Sequence, residues 1–182
     1  MESHSDEKVH TRTISVTTRD GGDGRILVEG TLQDERFATS YVITGETFPA
    51  GVIHHMAVRL RINCANLMIE DVEVDLLHVP REVCLETRNC LDAVKGLTIS
   101  KGFTVKVKKL AGGAKGCAHV VELLAAMAPA AIQGFAAQRS RKPVEISSDE
   151  AKMVSRFLIN TCHAWREGGP FADLLKKKFS LP

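Results

Sequence analysis

Alternation with a period of two opens the chain. Thr11-Arg12-Thr13-Ile14-Ser15-Val16-Thr17-Thr18 is rich in β-branched residues and predicts a strand. Asp20-Gly21-Gly22-Asp23-Gly24 then turns the chain, and Arg25-Ile26-Leu27-Val28-Glu29-Gly30-Thr31-Leu32 predicts the returning strand of a hairpin. Residues 34–51 mix turn and short strand signals and close in the loop Phe48-Pro49-Ala50-Gly51. A second alternating pair follows, with Met56, Val58, Leu60 and Ile62 on one face, a turn at Asn63-Cys64-Ala65-Asn66 and a partner strand over 67–75. The pattern predicts four or more strands in one antiparallel meander, with one face covered.

Beyond Pro80 the period changes. A helix is expected over 81–94, with Cys84, Leu91 and Val94 as its stripe and Gly96 ending it. Residues 105–110 alternate as a strand would, yet equally suit a short helix with a lysine face. From Gly116 to Gln138, Val120, Leu123, Leu124, Met127, Ala131, Ile132 and Phe135 recur at the helical period. Pro129 is expected to kink or split that helix near Ala128, because a proline in a helix interior costs roughly 3 kcal/mol. Ser147-Ser148-Asp149-Glu150 reads as the capped start of a further helix, with Met153, Phe157 and Leu158 inward, reaching Asn160 to Trp165. Gly168-Gly169-Pro170 then precedes a short amphipathic tail. The fold class expected is α+β, an N-terminal antiparallel β-meander packed against a C-terminal layer of three to four helices. Residues 1–10 are expected to be disordered and 11–182 to form one globular domain.

Composition narrows the function classes. With 24 Lys and Arg against 22 Asp and Glu, the whole chain carries no electrostatic case for nucleic acid or membrane binding. Two basic clusters, Arg139-Ser140-Arg141-Lys142 and Lys176-Lys177-Lys178, read as solvated faces. The polar N-terminus lacks the apolar segment of a signal peptide, and charged residues interrupt every apolar run, so a cytoplasmic protein is expected. The five cysteines, an odd number with no Cys-X-X-Cys pair, point to a reducing compartment and leave a zinc ribbon or a thioredoxin-type motif unsupported. Fingerprints for dinucleotides, nucleotide phosphates, serine hydrolases and zinc proteases are also absent.

The candidate chemistry lies where nitrogen and sulfur donors gather at the ends of elements: His54-His55 at a strand start, Cys117-Ala118-His119 at a helix start, and Cys162-His163 at a helix end. If the fold unites two of these groups, thiolates and imidazoles would suit zinc or iron. Residues two apart in a regular helix diverge by about 200°, so a joint role for Cys117 and His119 requires Cys117 to sit in the loop Gly112-Gly113-Ala114-Lys115-Gly116. A second chemistry uses Cys117 as a nucleophile, its thiol acidified at a helix N-terminus, with His119 or His163 as base. Glu122, one turn further on, would orient the histidine or act as an acid or base. Each residue also has a structural reading: buried cysteines as small apolar groups, histidines bonding helix-end carbonyls, and Glu122 favouring the helix dipole.

Ile53-His54-His55-Met56 with Arg59-Leu60, then Ile69-Glu70-Asp71-Val72, Gly96-Leu97-Thr98-Ile99, and Gly116-Cys117-Ala118-His119 with Glu122-Leu123-Leu124 resemble a bacterial domain-of-unknown-function family, numbered 2889. Cys162-His163-Ala164 resembles the family's ending motif, which extends the likeness from about Val9 to Phe179. The resemblance implies a discrete cytoplasmic domain and names no activity. It singles out His54, Cys117, His119, Glu122, Cys162 and His163. A more distant likeness is to iron-sulfur scaffold proteins, which place further donors at the start of a late helix, although fold likeness does not transfer function.

Three functional classes follow. The first is a small metal- or iron-sulfur-binding accessory protein, holding zinc or iron through His54, Cys117, His119, Cys162 and His163. The second is a thiol-dependent enzyme with Cys117 as nucleophile, His119 as base and Glu122 in support. The third is a non-catalytic interaction domain with a protein partner, in which these side chains only stabilise helix ends. The sequence leaves the metal, the substrate and the oligomeric state open.

Overall fold

The computed structural model describes residues 7–141, 143 and 145–181. The side chains of Met153 and Phe157, expected to point inward, lie outside the described residues, as do residues 1–6 of the stretch expected to be disordered. The chain divides into two compact units, 1–138 and 139–182.

In the first unit, β1 (His10–Gly22) and β2 (Arg25–Arg36) form the first expected hairpin, and β5 (Gly51–Asn63) and β6 (Met68–His78) form the second. Between the hairpins, β3 (Ser40–Tyr41) and β4 (Thr47–Phe48) make a small separate ribbon. The four long strands build one antiparallel sheet in the order β1-β2-β5-β6, so β1 and β6 are its edges. Antiparallel register places Ile14, Leu32, Met56 and Leu76 in one row across the sheet, and Val16, Gly30, Val58 and Val74 in the next. These rows face the core, where Ile26, Val28, Leu32, Met56, Val58, Leu60 and Ile62 are all buried, as their alternation requires.

The segment expected as one helix over 81–94 forms two 3₁₀ pieces instead, Glu82–Asn89 and Asp92–Val94. No residue of the first piece is buried, so nothing rewards a longer amphipathic helix there, and a short tight helix results. Leu91, Val94 and Ile99 reach the core. The ambiguous stretch becomes α1 (Phe103–Ala111), which buries Phe103, Val107 and Ala111 at helical spacing.

The long helix α2 (Ala118–Arg139) covers the sheet, burying Val120, Val121, Leu123, Leu124, Met127, Ala128 and Ala131. By length and composition α2 could cross a membrane, but it is the helix that supplies this core. It approaches the sheet closely because Gly30 has no side chain: a Cβ there would lie 2.6 Å from Met127 Sδ and 3.0 Å from Leu123 Cδ1. Of the kink or split expected at Pro129, the split does not occur, and α2 runs through it as one helix. The proline stands on the exposed face, where water can satisfy the carbonyl that its missing N–H leaves unpaired, while burial on the other face holds the turns together.

In the second unit, α3 (Ser148–Leu158) starts at the expected cap. Ser147 N donates to Glu150 Oε2 at 3.0 Å and Glu150 N donates to Ser147 Oγ at 3.2 Å, a reciprocal capping box. The helix ends at Leu158 rather than running on to Trp165. Asn160 adopts a left-handed conformation (φ 64°), accessible to asparagine at small cost, and its side-chain oxygen accepts from Glu167 N. The tail forms α4 (Pro170–Phe179), with proline in its first turn.

Candidate active site at the end of the sheet

One row beyond Ile14, Leu32 and Met56, the core face of the sheet turns polar. Register sets Arg12 opposite Asp34 and Asp34 opposite His54, so three neighbouring strands bring a cation, a carboxylate and an imidazole into line. The alternation that buries Leu32 also buries Asp34, which is only 3% exposed. An anion there must be compensated. Arg12 supplies this with both arms of its fork: Nε donates to Oδ1 at 2.7 Å and Nη2 to Oδ2 at 2.8 Å. His54 Nδ1 lies 3.1 Å from Oδ2, and His10 Nε2 lies 3.3 Å from Oδ1. A bulge sits beside the row: Asp34 pairs with His54 but Glu35 pairs with Val52, which leaves Ile53 as the extra residue. Bulges re-aim side chains locally, and here the consecutive residues Ile53 and His54 are both drawn away from solvent.

The glycine loop delivers the remaining groups. After α1 the chain passes Gly112, makes one 3₁₀ turn over Gly113–Lys115, and reaches Gly116 in extended conformation. Gly116 needs its lack of a side chain for space, since a Cβ would lie 2.5 Å from the Ala111 carbonyl oxygen and 2.6 Å from Cys90 Cβ. Cys117 stands just outside α2, and its carbonyl accepts the helix's first bond, from Val121 N at 3.1 Å. As a loop residue it escapes the helical divergence from His119, and its Sγ lies 3.7 Å from His119 Nδ1. The other ring nitrogen, His119 Nε2, lies 3.6 Å from Asp34 Oδ2. The His119 ring also stacks on His54, with centroids 3.8 Å apart and planes 29° apart.

These contacts set the protonation of the groups. Hydrogen bonds from Arg12 pull the Asp34 carboxyl down to about 2, overcoming a burial that acts to raise it. Burial, then repulsion from His119, holds His54 below the ordinary imidazole value, while Asp34 opposes. The hydrogen bond to Cys117 lifts His119 above that value. For Cys117 the largest influence is burial, which raises a thiol. The contact with His119 and the backbone N–H groups of Val120 and His119 together outweigh it and bring the thiol below its ordinary value. Both shifts run toward the charged forms, thiolate and imidazolium, with an ionised carboxylate on the far side of the ring.

Of the residues singled out by sequence, His54, Cys117 and His119 come together here. Glu122 does not meet either ring: it forms an ion pair with Arg12 and is 57% exposed. Cys162 and His163 lie in the second unit, in the turns between α3 and α4, where Cys162 is exposed and His163 Nε2 lies 3.4 Å from Arg166 Nη1. Asp34 and Arg12 went unnoticed as site residues, although the two-residue step from Leu32 to Asp34 already put a carboxylate on the buried face. Asp34, His54 and His119 each offer one donor atom within 4.8 Å of the others, close enough to hold an ion. That group contains no cysteine, which leaves an iron-sulfur cluster without its usual ligands there.

The family described as Protein of unknown function (DUF2889) matches residues 10–133, well over half of the chain. The chain belongs to that family. No curated protein and no solved structure matched it. The span shared with the family contains His10, Arg12, Asp34, His54, Cys117, His119 and Glu122, so the whole polar row and the glycine loop fall within it. Cys162 and His163 fall beyond its end.

Proposed function

We propose that this member of the family is a thiol-dependent enzyme in which Cys117 is the nucleophile, His119 its general base, and Asp34 the group that orients His119. The observation that carries the reading is the connected line from Cys117 Sγ to His119 Nδ1 (3.7 Å) and from His119 Nε2 to Asp34 Oδ2 (3.6 Å). Nucleophile, base and orienting carboxylate in that order form the arrangement by which thiols and hydroxyls are activated on unrelated folds, with contacts that tighten once substrate is bound. His119 takes the proton from Sγ, and the thiolate attacks an electrophilic atom of the substrate to form a covalent bond. The imidazolium returns its proton to the leaving group. Asp34 is held ionised by Arg12, so it stabilises the imidazolium and takes no proton itself. Glu122 acts through Arg12, holding the guanidinium from its other arm while the fork engages Asp34.

The test is alkylation of the intact protein by iodoacetamide, mapped by peptide mass spectrometry across a pH series. Cys117 should react fastest of the cysteines near neutral pH, and His119→Ala should slow it by about tenfold, because the imidazole that favours its thiolate is gone. Reaction of Cys117 at the rate of an ordinary cysteine, unaffected by His119→Ala, would remove the reading.

The convergence of Asp34, His54 and His119 favours a second reading, a zinc or iron site with two imidazoles and a carboxylate. The surroundings fit an ion less well than a thiol relay, because the Arg12 fork already engages both Asp34 oxygens and sets a positive charge beside the three donors. Metal analysis of protein purified without an affinity tag separates the two: stoichiometric zinc or iron that is lost in Asp34→Ala supports the ion.

A further inference from the structure

A second thiol lies against the nucleophile's loop. Cys90, between the two 3₁₀ pieces, packs its side chain into the space that a side chain on Gly116 would fill: the missing Cβ would lie 2.6 Å from Cys90 Cβ and 3.1 Å from Cys90 Sγ. The residue next in sequence is Cys117, whose backbone N–H faces the Cys90 sulfur. Both side chains are half-buried, both pack against the same core, and neither is in a disulfide. The glycine at 116 is thus the feature that lets the two cysteines approach, and any larger residue would push Cys90 away.

The chemistry of the two thiols differs in a useful way. Cys117 has the His119 imidazole 3.7 Å from its sulfur, whereas Cys90 sits half-buried against the core on the other side of the Gly116 backbone. A thiol beside a base, with a second thiol packed against its loop, is the division of labour between an attacking and a resolving cysteine.

We infer that Cys90 is the resolving thiol of Cys117 and that the pair closes into a disulfide after Cys117 has reduced a hydroperoxide. The inference rests on the proposed role of Cys117 as nucleophile and names the substrate class. In the first step the Cys117 thiolate attacks the terminal peroxide oxygen. The S–O bond forms, the O–O bond breaks, and Cys117 becomes a sulfenic acid as the leaving oxygen takes a proton from His119 and departs as an alcohol or water. In the second step the Cys90 sulfur attacks Cys117 Sγ, forming the S–S bond and expelling hydroxide, which takes up the Cys90 proton and leaves as water. Two electrons pass from the two sulfurs to the peroxide, and an external dithiol would restore both thiols.

The experiment treats the full-length protein with hydrogen peroxide at near-stoichiometric amounts, followed by peptide mapping of disulfides and dimedone trapping of sulfenic acid. Expected is a Cys90–Cys117 disulfide in the wild type, reversed by dithiothreitol. In Cys90→Ser, about tenfold more dimedone adduct is expected on Cys117, because the sulfenic acid is left without its internal thiol. Should Cys90→Ser fold poorly, the wild-type disulfide map alone decides. Rapid iodoacetamide labelling of Cys117 with no Cys90–Cys117 disulfide, or a disulfide from Cys117 to another cysteine, would overturn the role of Cys90 while leaving the nucleophile intact. Slow labelling and no sulfenic acid at Cys117 would overturn both.

Discussion

His54 lies flat against His119, ring centroid to ring centroid 3.8 Å, and the two rings share the Asp34 carboxylate. Two imidazoles so close cannot both carry charge without penalty, and their other neighbours divide the roles: Cys117 favours the charged form of His119, burial the neutral form of His54.

The first prediction is therefore a split titration. Ring-proton NMR should show His119 titrating above the ordinary value of 6.5 and His54 below it. The stability each contributes runs in opposite directions with pH. The neutral His54 contributes fully above 6.5, and that contribution is lost as pH falls through its lowered folded value. The raised His119 contributes fully below 6.5, and that contribution is lost as pH rises through its folded value. Cys117→Ala should bring His119 down. Coincident titration of the two rings in the wild type would contradict the geometry.

Removing the carboxylate should cost more than removing any other side chain of the row. Asp34→Ala leaves the partly exposed Arg12 guanidinium with Glu122 as its remaining carboxylate and is expected to destabilise by about 1–3 kcal/mol, the range for losing hydrogen bonds to a charged group. The wild type should lose about 2 kcal/mol from this group on acidification, because the Asp34 contribution is complete above the unfolded value of 3.8 and disappears as pH falls through about 2. Urea unfolding at a series of pH values measures both. A change under 1 kcal/mol in Asp34→Ala would mean that the pair is not formed.

Gly30→Val should be destabilising by about 1–3 kcal/mol, the usual cost of overpacking, since Met127 and Leu123 occupy the space required. A shift of α2 relative to the sheet would also move Cys117 and His119 relative to Asp34. Reduced alkylation of Cys117 should therefore accompany the loss of stability, and an unchanged rate would show that the loop holds the thiol without help from the helix.

Pro129→Ala should stabilise by about 1–3 kcal/mol, because the exposed proline sits inside a continuous helix and alanine restores the missing N–H. Thermal unfolding reads this directly. A lower midpoint would indicate that a bend at Pro129 is needed to fit α2 to the twist of the sheet.

Much of this molecule was legible in the alternation of its strands. Met56, Val58, Leu60 and Ile62 were correctly placed on one covered face, and the α+β class followed from the change of period after Pro80. The contact between Cys117 and His119 was also legible, because glycines before a helix allow a side chain to turn back toward the first helical residues. What could not be read was the partner across the sheet. Asp34 sits in a stretch whose turn residues mask the end of β2, and only register shows that its neighbours are Arg12 and His54. Glu122 was read either as serving the histidine or as an exposed glutamate at the helix start, and it is exposed there, paired with an arginine on a distant strand that no local signal could name. The overshoot of α3 had a local sign in Asn160, a residue that readily takes the left-handed turn ending a helix.

Arg12 belongs to β1, an edge of the sheet, held by backbone bonds to β2 alone. Edge strands open at lower free energy than central ones, so the cation that keeps Asp34 ionised is mounted on one of the more easily released parts of the first unit. Opening of the start of β1 would take the guanidinium from the carboxylate and raise its affinity for a proton. The charge that faces His119 thus depends on the pairing of a single edge strand, far in sequence from the thiol it serves.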